Sequence, residues 1–109
     1  MPHTYKTLGQ ANPAANTQTN IYTVPASTAT VVSSITVCNQ GAANGYYRIA
    51  VRPNGEALAK KHYMFYETFL PPKNTQTLSL GMALGAGTVL TVHASTNDLS
   101  FMAFGSEVS

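Results

Sequence analysis

From Thr19 onward the chain is a succession of short apolar, β-branched or aromatic runs broken by turn-forming residues. The breaks recur every ~8–12 residues, the pattern of an all-β sandwich or barrel. The first run, Asn20 to Val24, stops at Pro25. The second, Thr30 to Asn39, places Val31, Ile35 and Val37 on one face at period two. The third, Tyr46 to Arg52, alternates most cleanly: Tyr47, Ile49 and Val51 read as core, and Tyr46, Arg48, Ala50 and Arg52 as the wetter face. Pro53-Asn54-Gly55 is a strong turn. Glu56 to Lys61 has room for a helical turn and no more.

His62 to Phe69 is an aromatic strand, with Phe65 and Phe69 expected inward and Met64 and Tyr66 outward. After the Pro71-Pro72-Lys73-Asn74 break, Thr75 to Leu80 reads as a strand. Gly81 to Gly87 follows as a loop whose Met82 and Leu84 fold back on the core. Thr88 to Ser95 and Leu99 to Val108 complete the set. The expected fold is all-β: a two-sheet antiparallel sandwich of about seven to eight strands. Residues 1–17, with Pro2, Pro13 and no sustained period, read as an extended N-terminal arm, either loose or ordered by docking on a neighbour, and residues 18–109 as the sandwich domain.

The length of 109 residues fits one domain. Charged residues make up 9% of the chain, against roughly 25% in an average soluble protein. The net charge of +2 is too small and dispersed for a nucleic-acid-binding protein. Strand edges normally carry charge as a defence, so the sparse charge predicts edges covered by another subunit. Cys38, the single cysteine, excludes an intrachain disulfide and reads as a small buried hydrophobe. No secretory signal, no run long enough to span a bilayer and no Asn-x-Ser/Thr acceptor is visible.

The motifs that carry chemistry are thin. His3, His62 and His93 form no short-spaced metal pair, and a site built from His62 and His93 lacks a third ligand, so neither metal nor cofactor is expected. No serine sits in a G-x-S-x-G elbow. Glu56 and Glu67 are the one conceivable carboxylate pair, and Glu67 reads better as the partner of a nearby base. Gly81, Gly85 and Gly87 lack the spacing and the lysine of a phosphate loop.

Two clusters remain. Arg48 and Arg52 project from one strand face, with Lys60 and Lys61 after the next turn, and form the densest positive group. It either meets an acidic partner surface or is solvated. Tyr46, Tyr63 and Tyr66 are candidate interface anchors or stacking platforms for sugars. With Tyr5 in the arm, these are the candidate interface residues.

The stretch Ile21 to Ser109 resembles small accessory virion structural proteins of tailed bacteriophages, tail- or baseplate-associated or of the capsid-decoration type. The resemblance rests on IYTVPASTATVVSSITVCNQG and on YYRIAVRPNGEALAKKHYMFYETFLPPKNTQTLSLGMALGAGTVLTVHASTNDLSFMAFGSE, about four-fifths of the chain. It implies a non-enzymatic β-sandwich attached to the particle exterior, on the tail, baseplate, fibre or capsid; the strand edges and the N-terminal arm, which lies outside the resemblance, are the expected docking elements. Its partners would be other virion proteins and further copies of itself in a trimer or ring, with neither nucleic acid nor membrane, and its place the virion, assembled in the host cytoplasm. The alternative is a small carbohydrate- or receptor-binding β-sandwich module, against which the lack of tryptophan counts.

Overall fold

The computed structural model describes residues 3–108. It has strands β1 (His3–Ala11), β2 (Thr19–Thr23), β3 (Ala29–Asn39), β4 (Gly45–Arg52), β5 (Tyr63–Leu70), β6 (Thr75–Leu84), β7 (Val89–Ala94) and β8 (Leu99–Val108). They form two four-stranded sheets in the orders β1-β8-β3-β6 and β2-β7-β4-β5. All pairings are antiparallel. Consecutive strands lie in opposite sheets except β4 and β5, so the chain winds back and forth across the core. Eight strands in this double-sheet order make a jelly roll.

The core lies between the inner faces. Val32, Ile35, Val37, Leu99, Phe101 and Ala103 come from the first sheet, and Ile21, Tyr47, Ile49, Leu90, Val92 and Ala94 from the second. Tyr47 is fully buried, and its hydroxyl donates to Gln76 Oε1 on β6 at 2.6 Å, tying the two sheets together. Phe101 meets the Tyr47 ring edge-on at 6.1 Å. Burial pushes the Tyr47 phenol pKa up.

Several expectations from the sequence need correction, most through β-bulges. A bulge adds one residue to a strand and so reverses which face the following residues occupy. In β3 the register with β8 shifts between Val32 and Ser34. Val32 therefore joins Ile35 and Val37 inside while Val31 is exposed. In β5 the partners of Tyr47 and Ile49 are Thr68 and Phe65, an extra residue at Tyr66-Glu67, where Glu67 takes a positive φ of 50°. Phe65 packs on the core, but Phe69 falls on the outer face. Strand β6 continues through the expected loop to Leu84, with Gly81 at φ 87° absorbing its bulge. Cys38 is half-buried on the outer face of β3 rather than in the core. Residues 56–59 are not helical; short 3-10 turns, Pro53–Gly55 and Lys60–His62, flank them.

The largest correction concerns the arm. Residues 3–11 are β1, paired with β8 along its length. Leu8 sits at a bulge and is buried, and Pro13 is buried beyond the strand. One inward apolar residue leaves no period to read, yet the backbone hydrogen bonds to β8 order the segment without one. A Cβ on Gly9 would lie 2.0 Å from the Ile21 carbonyl oxygen, so β1 approaches β2 closely there because position 9 has no side chain. Part of what the sequence marks as an arm therefore completes the first sheet.

Candidate functional site

The outer face of the second sheet collects most of the candidate residues. On β4, Tyr46, Arg48 and Arg52 alternate with core residues. On β5, Tyr63, Tyr66 and Phe69 lie beside them. The Tyr46 and Phe69 rings are 5.7 Å apart, and those of Tyr63 and Tyr66 meet edge-on at 5.0 Å and 79°.

Arg48 organises this surface. Its Nε donates to Glu67 Oε2 at 3.0 Å, and its guanidinium lies 4.5 Å from the centroid of the Tyr66 ring. The hydrogen bond to Glu67 holds the Arg48 pKa above its ordinary value. The β5 bulge makes this possible, because it turns Glu67 back toward β4. Arg52 is a bracing residue. It donates to Thr91 Oγ1, to Asn20 Oδ1 and to the Glu56 carbonyl oxygen, joining β4, β7, β2 and the loop that follows β4.

That loop folds across the sheet. Ala50, expected on the wetter face, is buried, and Leu58 lines the same cleft. The loop is clasped at His62. The Ala59 N–H donates to His62 Nδ1 at 3.0 Å, and His62 Nε2 lies 3.2 Å from Glu56 Oε1. With Nδ1 accepting, the neutral ring carries its proton on Nε2 and donates it to Glu56. The hydrogen bond from His62, aided by the Lys61 ammonium at 3.4 Å, holds the Glu56 carboxyl below its ordinary pKa.

Two adjoining concavities result. An open groove of about 870 Å³ is lined by Gln18, Leu58, Ala59, Lys60, Tyr63 and Tyr66. An inner cleft of about 50 Å³ shares Gln18, Leu58 and Tyr63 with it and reaches Arg48, Thr91 and His93. Burial, followed by the neighbouring Arg48 charge, lowers the His93 pKa and favours the neutral ring. Its Nδ1 is buried without a hydrogen-bond partner among the described residues.

Of the eight candidates, Tyr46, Arg48, Arg52, Lys60, Tyr63 and Tyr66 thus share one surface, and Lys61 borders it through its ion pair with Glu56. Tyr5 does not join them: it lies on β1, in the other sheet. Sequence reasoning missed Gln18, Leu58 and His93 as parts of the groove. The alternation of His93 with Leu90, Val92 and Ala94 was a readable sign that it faces outward. Gln18 and Leu58 lie outside the strands and gave no such sign.

No group of three or more His, Cys, Asp or Glu among the described residues is placed to hold a metal ion. No helix among them is long and apolar enough to cross a membrane. A scan of the sequence against protein-family models and against curated proteins found no significant match.

Proposed function

We propose that this chain is a non-enzymatic structural protein of a tailed-phage particle, docking on the particle exterior through the strand edges of its first sheet. The observation that carries the reading is β6. It is an edge strand of 10 residues without a charged side chain or a proline. A long uncharged edge offers unpaired backbone donors and acceptors to another chain, which free-standing proteins usually prevent. The sequence resemblance of Ile21–Ser109 points the same way, and the jelly roll is an architecture that recurs in viral capsid domains. β1, as the opposite edge of the same sheet, replaces the free arm as the second docking element, with Tyr5 exposed on it.

The test is incorporation. Particles purified from cells producing the chain are expected to contain it at fixed stoichiometry. Thr77 and Ser79 are exposed on β6, and a charged lysine on an edge opposes pairing. The double variant Thr77→Lys/Ser79→Lys is expected to fold with unchanged circular dichroism and to be lost from particles. Absence of the unaltered chain from particles, or incorporation of the variant at the normal level, overturns the proposal.

A further inference from the structure

The ten charged residues are unevenly placed. Lys6, Lys73, Asp98 and Glu107 cancel, whereas the six between Arg48 and Glu67 comprise four cations and two carboxylates. The whole net charge of +2 therefore belongs to the segment that builds the groove and its borders. Within it, Arg48 pairs with Glu67 and Lys61 with Glu56, while Lys60, on the groove wall, has no carboxylate partner among the described residues. Arg52 also lacks a carboxylate partner among these residues, but its guanidinium is taken up by Thr91, Asn20 and the Glu56 carbonyl oxygen outside the groove lining, so Lys60 is the uncompensated cation that the groove presents.

Beside that cation stands a fixed aromatic corner. Tyr63 and Tyr66 are perpendicular, and Arg48 holds Tyr66 from one side while 59% of that residue remains exposed. Tyrosines held in this way offer contact area with little entropy left to lose. Further in, Gln18 and His93 line the inner cleft; the His93 ring is kept neutral, and its Nδ1 is buried without a hydrogen-bond partner among the described residues. A hydroxyl suits both groups, because it donates or accepts as either tautomer requires. The volume lies within the ~300–1,000 Å³ usual for small-ligand sites.

We infer that this groove is a binding site for an acidic saccharide. The apolar face of a sugar ring lies against the Tyr63–Tyr66 corner, its hydroxyls meet Gln18 and the inner cleft, and its carboxylate meets Lys60. Leu58 and Ala59 are the only aliphatic side chains in the groove lining, too little apolar wall for a peptide anchor. A phosphodiester strand would meet the Glu67 carboxylate beside Tyr66 and find just one unpaired cation in the groove.

The probes are an oligogalacturonate, its neutral oligogalactan counterpart and an oligothymidylate, each titrated calorimetrically into the full chain. The oligogalacturonate is expected to bind about fivefold more tightly than the neutral chain, the most a single exposed charge pair supplies. Lys60→Ala is expected to erase that difference. Tyr66→Ala is expected to abolish binding of both saccharides with an unchanged circular dichroism spectrum, and Tyr66→Phe to retain it. No heat with the oligogalacturonate, tighter binding of the oligothymidylate, or full discrimination by Lys60→Ala overturns the inference. Thr77 and Ser79 lie outside the groove lining, so loss of incorporation by their lysine variant and loss of saccharide binding are separate failures.

Discussion

Tyr22 shows how much of this fold rests on a few polar contacts. Its hydroxyl donates to Glu107 Oε2 on β8 and lies 2.7 Å from Thr30 Oγ1 on β3, joining the second sheet to the first. Lys6 on β1 adds an ion pair to Glu107 at 3.2 Å. The Tyr22 hydrogen bond, then Lys6, lowers the Glu107 pKa from 4.5. Burial, then Glu107, raises that of Tyr22 from 10.0 to about 12. The two shifts act at opposite ends of the pH scale. The contribution of Glu107 is complete above its unfolded pKa of 4.5 and is lost as pH falls through the lower folded value. The contribution of Tyr22 is complete below 10.0 and is lost as pH rises from there to about 12. Tyr22→Phe is expected to lower stability at neutral pH by about 1–2 kcal/mol. Thermal melts across pH should show its deficit shrinking below pH 4.5 and above pH 10. A deficit constant across that range would mean that the two groups do not titrate as a coupled clamp.

At the scale of elements, the strands from β2 onward were legible because their apolar residues keep period two beside turn residues that stop it. Pro25, Pro53-Asn54-Gly55 and Pro71-Pro72 all fall at strand ends. What period two does not contain is the position of a bulge. Ser33, Glu67 and Gly81 each sit at a register shift, and each displaces the readings beyond it: Val31 for Val32, Phe69 outward, and β6 carried through to Leu84. The candidate site was half legible for the same reason. Arg48 and the tyrosines were visible on the alternating face of β4 and in the aromatic run. Their assembly depended on the Glu67 bulge and on a non-helical loop. The first strand was illegible because its order comes from the backbone of β8, 101 residues away where Lys6 meets Glu107. Deleting residues 1–11 strips Leu8 from the core and bares the edge of β8. The shortened chain is expected to melt lower by the equivalent of about 2–5 kcal/mol, the range of a large core truncation, and to aggregate through the exposed strand. An unchanged melting temperature would restore a dispensable arm.

The whole molecule is closed by its two ends. β8 lies between β1 and β3, so the last strand is internal to the first sheet, and β1 reaches it from the other terminus. Leu99, Phe101 and Ala103 are buried, and Phe101 touches the ring of Tyr47 in the opposite sheet. A Cβ on Gly105 would come 2.0 Å from the Val31 carbonyl oxygen, so β3 and β8 are in close contact even at the bulge. Pairing of such distant segments closes long loops before any reward is gained, which slows folding. The two terminal truncations should therefore differ in kind. Loss of β1 removes an edge and one core leucine and leaves seven strands paired. Loss of residues 99–109 separates β1 from β3 and opens the core from Val32 to Tyr47. The first variant is expected to keep dispersed amide resonances and a cooperative melt at lower temperature, and the second to show neither. Dispersed spectra from the chain lacking residues 99–109 would mean that β2–β7 hold a core of their own, and that closure by the termini is decoration rather than the condition for folding.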